Sequence, residues 1–192
     1  MPPKTQFNKD AIVEIAFEIA REEGFEAITA RSVAARLGSS VAPIYLNFTA
    51  IEDLTKAVVE RVFRLSEEYL KQQKGPNTFE NMGLAGLAFA RDYPVFVREL
   101  VTKPNPYMRE YEAQEEAMIS MMGNDPELAG WSVEERRRLF LQMRAFQLGV
   151  TLMVANDQVP SWFGEAALES LVMQTGGDLV RAGNINRKEL NS

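Results

Sequence analysis

The 192-residue chain contains neither cysteine nor histidine. Their absence excludes disulfides, metal sites built on thiolate or imidazole, cysteine nucleophiles and hydrolysis by a Ser-His-Asp triad. An enzyme of this composition would have to rely on carboxylates, lysine or tyrosine for acid-base chemistry. Adjacent acidic pairs such as Glu115-Glu116 do not converge on one helix face. The sequence therefore predicts no metal site, no cofactor and no catalytic residues.

Long hydrophobic runs are also absent, since no apolar stretch approaches the ~18 residues that span a bilayer. The first residues, Met1 to Lys4, are not followed by the apolar core of a signal peptide. We therefore expect a soluble, cytoplasmic protein without a membrane partner. Its 46% apolar and 25% charged residues are ordinary for a globular protein. The net charge of −6 argues against attachment to nucleic acid by bulk charge alone.

The chain shows no convincing alternating strand pattern, and its apolar residues recur at helical spacing instead. The pattern predicts an all-α protein with a head of three short helices, a long fourth helix and a larger C-terminal helical bundle. The predicted helices cover residues 9–23, 30–37, 40–47, 50–73, 78–92, 94–101, 107–122, 133–155 and 163–182. The polar tail 183–192 is predicted to fray.

Capping residues indicate where the predicted helices begin. Gly24 and Gly38 follow the first and second helices, where a residue with positive φ is favoured. The predicted N-cap and capping-box residues are Asn8, Thr29, Ser40, Thr49 with Glu52, Asn77 with Glu80, and Ser132 with Glu135.

Two short helices joined by Gly38-Ser39-Ser40 follow an amphipathic helix, which is the pattern of a helix-turn-helix. Gly38 suits the tight turn, and the second helix must present small or polar residues where it enters the major groove. Residues 40–43 are small enough for close approach to DNA, and Tyr45 and Asn47 add hydrogen-bonding groups. The spacing therefore predicts DNA binding.

The same residues resemble the DNA-binding domain of the TetR family of bacterial transcriptional regulators. The resemblance covers residues 9 to 58, and the order of its motifs is specific. They are Ile12, Ala16, Gly24-Phe25 and Thr29, then Arg31-Ser32-Val33-Ala34-Ala35-Arg36-Leu37-Gly38, then Ser40, Ile44-Tyr45, Asn47-Phe48 and Glu52-Asp53-Leu54.

The resemblance implies roles for individual positions of the head. It makes residues 40–47 the recognition helix, places Thr29 and Tyr45 against phosphates, and makes Phe48 and Leu54 packing residues. It places Val41, Ala42 and Pro43 against bases, where contact with thymine methyl groups and groove shape would provide the readout. The full set of predicted DNA contacts is Thr29, Arg31, Ser40, Val41, Ala42, Pro43, Tyr45 and Asn47.

Three positions depart from the family pattern, and the charge of the head bears on all of them. Ile51 stands where the family often has a phosphate-binding lysine, Val41 stands where a basic or polar residue is common, and Leu46 stands at a frequently basic or aromatic position. Residues 1–64 carry eight Lys/Arg and nine Asp/Glu, but 27–51 contain Arg31 and Arg36 and no acid. Each arginine either contacts phosphate or is a solvated helix charge. We predict modest affinity per protomer and a requirement for a dimer.

The second half is rich in methionine and aromatic residues, which suit either an adaptable ligand cavity or an ordinary core. The resemblance implies a small-molecule cavity there and a dimer surface on the last two helices. The predicted cavity residues are Phe89, Phe96, Met118, Met122, Met143, Phe146 and Gln147. The predicted dimer stripe consists of Leu168, Leu171, Val172, Thr175 and Leu179.

The predicted function is that of a homodimeric transcriptional regulator, a repressor that binds a palindromic double-stranded DNA operator and is released by an unknown small molecule. Residues 1–48 form the predicted DNA-binding domain, and 49–192 form the predicted ligand-binding and dimerisation domain. The alternatives are a helical interaction module of the same fold with little DNA binding, and an enzyme that works through carboxylates, lysine or tyrosine.

Overall fold

The computed structural model describes residues 7–75, 78–104, 106 and 112–190. Within these residues the chain forms nine α-helices and no strand, which confirms the predicted all-α class. The predicted cap at Asn77 and the predicted helical residues 107–111 lie outside the described residues. The helices are α1 (Lys9–Glu23), α2 (Ala30–Leu37), α3 (Ala42–Asn47), α4 (Ile51–Gln72), α5 (Thr78–Asp92), α6 (Pro94–Thr102), α7 (Glu112–Met121), α8 (Val133–Ala155) and α9 (Glu165–Leu190).

Local side-chain caps set several helix starts as predicted. The Asn8 Oδ1 atom accepts a hydrogen bond from the Ala11 amide across 2.8 Å and begins α1. Thr29 accepts from the Ser32 amide across 3.0 Å, while the Ser32 hydroxyl accepts from the Thr29 amide across 2.9 Å. These reciprocal bonds satisfy amides that have no partner within the helix. Ser132 and Glu135 form the same arrangement at the start of α8.

The predicted cap at Ser40 is wrong. Helix α3 begins at Ala42, Val41 occupies the N-cap position, and no side chain caps this helix. Gly38 adopts the left-handed conformation at φ 63° and begins the turn. Ser40 still belongs to this turn, because α3 starts only at Ala42. Pro43 lies in the first turn of α3, where its missing amide proton removes no intrahelical bond.

Helix α4 begins one residue later than predicted. The capping carboxylate belongs to Asp53, whose Oδ2 atom accepts from the Ala50 amide across 3.0 Å. Thr49 and Glu52 therefore do not form the predicted capping box. Since Ala50 has no polar side-chain atom, only one half of a capping box is present at this start.

Helix α9 differs most from its prediction, because it continues through the predicted frayed tail to Leu190. Side-chain contacts with the segment before α8 and with α8 hold the extension. The Trp131 indole nitrogen donates to Asn184 Oδ1 across 2.8 Å, and Asn184 donates to the Glu127 carbonyl across 3.2 Å. Arg187 pairs with Glu135 across 3.1 Å. These partners lie far away in the sequence, so the polar composition of the tail did not reveal them.

The first three helices, α1 to α3, form the head, and α4 to α9 form what we call the body; the two share one hydrophobic core. Its buried residues come mainly from α1 to α6, with Ala155 added from the end of α8, and include Ile12, Phe17 and Phe96. Phe96 of α6 is fully buried, and its ring lies 5.2 Å from the ring of Phe17 in α1. Two smaller cores lie within the body, one centred on Leu139 and one on Leu87. Among the described helices, none is long and apolar enough to cross a membrane.

Candidate DNA-binding face and bundle cavities

Helix α3 has one buried face and one exposed face. Ile44 and Phe48 are buried in the shared core and fix the helix on the head. The opposite face exposes Val41 at 39%, Tyr45 at 56% and Leu46 at 85% of their surfaces. No described residue covers this apolar face. An exposed apolar face is a better indication of a binding surface than a buried one, which needs only core packing to explain it.

Asn47 holds α3 against the start of the chain. Its Nδ2 atom donates to the Pro43 carbonyl across 2.8 Å and to the Phe7 carbonyl across 3.4 Å. The side chain of Asn47 is half-buried and its amide donates to these two carbonyls, so Asn47 positions α3 from the side that faces the protein. An open concave surface between Phe7 to Lys9 and α3 is lined by Ser40, Ala42, Pro43 and Leu46. The Lys9 ammonium lies 5.2 Å from the centre of the Phe48 ring.

The two arginines of α2 differ in their surroundings. Arg36 pairs with Glu22 of α1 and lies 3.9 Å from Glu23. Hydrogen bonding from Arg36 is the main cause that lowers the pKa of the Glu22 carboxyl, and the same bond raises the pKa of Arg36. Arg36 therefore fixes α2 on α1. Arg31 is exposed and forms no ion pair with any described residue, so its charge is available to a ligand.

The body contains a cavity of about 250 Å³ between α5, α7, α8 and α9, which we call the α7 cavity. Its walls are mostly methionine, phenylalanine and glycine. The described residues that line it are Met82, Gly83, Glu115, Met118, Phe140, Met143, Arg144, Phe146, Gln147, Leu148, Val172, Thr175 and Gly176.

A second cavity of about 230 Å³ lies between α5, α6 and α8, and we call it the α6 cavity. It shares Arg144, Gln147 and Leu148 with the α7 cavity, so these three side chains separate the two spaces. The remaining described lining residues are Gly86, Phe89, Val97, Leu100, Val101 and Thr151. The α6 cavity lies on the helix that packs against α1 of the head.

The structure resembles that of TetR from Acinetobacter baumannii AYE, with a TM-score of 0.55 over 97% of this chain and 99% of that chain. The chain has the TetR fold. Sequence identity to that structure is 16%, so the match concerns the fold alone. It confirms the predicted resemblance to TetR.

In sequence, the chain is similar to the HTH-type transcriptional repressor DrrR1 of Streptomyces coeruleorubidus, with 30% identity over 131 residues. The aligned segment spans 66% of this chain and about half, 48%, of that repressor. No family model matches the sequence.

Within the TetR fold, the predicted cavity residues do not all line one space. Met118, Met143 and Phe146 line the α7 cavity, Phe89 lines the α6 cavity, and Gln147 lines both. Phe96 lines neither cavity, because its ring is enclosed by aromatic rings at the junction of head and body. Met122 lines neither cavity, because it packs with Ile119 and Leu128 in a core.

The predicted dimer stripe mostly faces into its own protomer. Leu168 and Val172 are buried against Leu87 and Val150, and Thr175 lines the α7 cavity. Leu179 packs beside the core around Leu139, which leaves Leu171 as the exposed member. Helical periodicity identified an apolar stripe correctly, but α5 and α8 cover most of it.

Arg144, Glu115 and Gly83 were not predicted as cavity residues. Arg144 and Glu115 form a part-buried ion pair between α8 and α7 at the cavity wall. Gly83 and Gly86 occur three residues apart in α5, and this spacing is a sequence pattern that indicates close helix approach. A Cβ atom at Gly83 would collide with Val172 of α9.

Among the described residues, no group of three acidic side chains could hold a metal ion.

Proposed function

We propose that this protein is a dimeric transcriptional repressor that binds a palindromic DNA operator and is released by a small molecule. The observation that carries the proposal is the two-sided character of α3, with Ile44 and Phe48 buried and Val41, Tyr45 and Leu46 exposed. A short helix fixed on one face and open on the other suits insertion into the major groove. The curated relative, itself a repressor by name, supports the same function.

In this proposal the exposed face divides its contacts between phosphates and bases. Thr29, Arg31 and Tyr45 lie at exposed positions and would contact phosphate oxygens. Val41, Ala42 and the half-buried Pro43 would contact thymine methyl groups at the floor of the groove. Ser40 is exposed beside them, and Asn47 acts from behind by holding α3.

The dimer in this proposal forms through α8 and α9. Leu141 of α8 is 64% exposed, and Leu148 of α8 and Leu171 of α9 are also exposed. Apolar side chains on neighbouring helices form a self-complementary surface for a second copy. Such a dimer would place two α3 helices about 34 Å apart, one turn of the duplex. Residues 1–48 would bind DNA, and 49–192 would bind the ligand and the partner copy.

Release by a small molecule would use the two cavities and α6. A ligand shifts the equilibrium between DNA-competent and released forms only by its difference in affinity for them. The α6 cavity touches Val97 and Leu100 of α6, and α6 packs on α1 of the head. We assign the chain no catalytic activity, and as a DNA-binding regulator it would work in the cytoplasm.

The experiment that tests DNA binding is a gel-shift titration against the DNA upstream of the coding sequence, at two salt concentrations. We expect a sequence-preferring shift that weakens with salt. Tyr45→Ala and Arg31→Ala should weaken the shift while the helical circular dichroism stays unchanged. Arg64→Ala is the matched control, because Arg64 is an exposed arginine on α4.

The same titration distinguishes the interaction module that remains the alternative. Such a module would show no salt-sensitive shift, and its Tyr45→Ala variant would have no DNA effect to lose. A shift that is equal on all sequences and unaffected by Arg31→Ala would also contradict the proposal.

A further inference from the structure

We propose that the releasing ligand is an uncharged, elongated and largely apolar molecule that occupies the α7 and α6 cavities together by displacing the side chain of Gln147. This inference rests on the proposed function in one respect only, that the body binds a small molecule. The cavities, their lining charges and the position of Gln147 carry the rest of it.

The two cavities lie end to end along α5 and α8. On α5, Met82 and Gly83 line the α7 cavity, and Gly86 and Phe89 line the α6 cavity. An α-helix rises 1.5 Å per residue, so the combined space extends about 10 Å along α5. Each cavity alone, at about 250 and 230 Å³, holds only a small molecule. Together they fit a rod-shaped one.

Gln147 forms the movable part of the partition. Its Nε2 atom donates to the Met82 carbonyl across 2.8 Å, which holds the amide between the two spaces. Gly86 faces this amide, and a Cβ atom at that position would collide with it. The Met82 carbonyl lies inside α5, where a helix amide also bonds it. A rotation of Gln147 therefore leaves no backbone carbonyl without a partner, and a ligand hydroxyl or amide can bond to the freed side chain.

The charges at the wall favour an uncharged ligand. Arg144 and Glu115 are the charged residues among the described lining of the α7 cavity, and they pair with each other. An anionic ligand would have to take Arg144 from Glu115, and a cationic ligand would have to take Glu115 from Arg144. Separating a part-buried ion pair leaves one charge without its partner, which is costly. A neutral ligand leaves the pair intact.

The remaining lining is soft and apolar. Met82, Met118 and Met143 have flexible side chains that adapt to irregular ligand shapes, and Phe140 and Phe146 offer ring faces. The Thr175 hydroxyl donates to the Leu171 carbonyl across 2.8 Å, so it can only accept from a ligand. The lining therefore suits an aromatic or polyunsaturated chain with one or two hydrogen-bonding groups.

The charge preference is tested with two fluorescent probes of the same ring system, neutral N-phenyl-1-naphthylamine and its sulfonate, 8-anilinonaphthalene-1-sulfonate. We expect the neutral probe to bind the full-length protein once per protomer and at least tenfold more tightly than the sulfonate. Glu115→Gln should narrow this gap by freeing Arg144, whereas Glu116→Gln, the neighbouring control, should leave it unchanged. Equal or tighter binding of the sulfonate to the unaltered protein overturns the proposal.

The length preference is tested with 1,6-diphenylhexatriene, a neutral rod, beside the shorter N-phenyl-1-naphthylamine. Val101→Phe partly fills the α6 cavity and should weaken binding of the rod about tenfold while sparing the shorter probe. Gln147→Ala opens the partition and should tighten binding of the rod, which keeps the test decisive if Val101→Phe unfolds. If neither variant distinguishes the two probes, the cavities do not act together.

Probe binding and DNA binding are measured separately, so the two proposals can fail separately. A specific gel shift without selective probe binding would reject the ligand class and leave the repressor function standing. Selective probe binding without any gel shift would reject the repressor function and leave the ligand class standing. Release of DNA by the rod-shaped probe, and its loss in Val101→Phe, would connect them.

Discussion

The ring of Phe25, in the turn after α1, stacks on the ring of Phe96 in α6, with centroids 5.6 Å apart and planes inclined by 16°. Phe96 also stacks on Tyr93 at 5.8 Å, and Tyr93 lies 5.2 Å from Phe89. Phe89 lines the α6 cavity. A continuous series of rings therefore connects the wall of a cavity with the base of the head formed by α1 to α3.

Phe96→Ala should destabilise the protein strongly, because it removes a fully buried ring that touches both head and body. Large-to-small changes of this kind cost about 3–5 kcal/mol. The measurement is urea denaturation followed by circular dichroism. Leu46→Ala is the control, since Leu46 is 85% exposed and its truncation should change stability by less than about 0.5 kcal/mol. A small effect of Phe96→Ala would show that the junction repacks easily.

Leu46→Lys should strengthen DNA binding. The side chain at position 46 lies in solvent on the exposed face of α3, so a lysine there costs no core packing. One added phosphate contact should steepen the dependence of log affinity on log salt by roughly 0.9. The measurement is a gel-shift series over salt concentration, with Leu46→Gln as the uncharged control. An unchanged slope would mean that position 46 faces away from the phosphates.

The pair of Glu22 and Arg36 should make the packing of α1 on α2 sensitive to acid. Hydrogen bonding from Arg36 lowers the pKa of Glu22 below its usual value of 4.5 in the folded state. A carboxyl with a lowered pKa contributes stability that is complete above pH 4.5 and is lost as pH falls through the folded-state pKa. Glu22→Gln should therefore flatten the loss of stability in that range. Glu60→Gln, an exposed change on α4, should keep the original pH profile.

Leu141→Glu should separate the proposed dimer. Leu141 is the most exposed leucine of α8, and a carboxylate buried in an interface without a partner is strongly unfavourable. We expect the dissociation constant for self-association, measured by sedimentation, to rise at least about tenfold, which corresponds to ~1.4 kcal/mol. Leu46→Glu places the same charge on the head and should leave the dimer intact. A dimer that survives Leu141→Glu must use another surface.

The elements that sequence predicted best are those whose causes are local. Asn8, Thr29 and Ser132 cap their helices with bonds to residues three positions away, so a short pattern contains both partners. The extension of α9 depends on Trp131 and Glu135, which lie some fifty residues before their partners. No local pattern contains such a bond, and the polar tail therefore suggested fraying.

The candidate site was predicted in the head and only partly in the body, for a related reason. The exposed face of α3 follows from a short motif, in which Ile44 and Phe48 are the apolar positions. Periodicity reports which stripe of a helix is apolar, but it does not report which neighbour covers that stripe. Phe96 packs at the junction of head and body, and Val172 packs in a core of its own protomer. Only the three-dimensional arrangement shows these neighbours.

The shared core between head and body has a practical consequence for anyone who trims the polypeptide. A fragment that stops at Phe48 would expose the apolar face of α1, where Ile12 and Phe17 pack with Val58 and Phe96 in the full chain. Such a peptide should aggregate or stay unstructured, and its failure to bind DNA would not test the function proposed for the full chain. Because Ala155 at the end of α8 also belongs to this core, the shortest piece worth expressing runs at least to the end of α8.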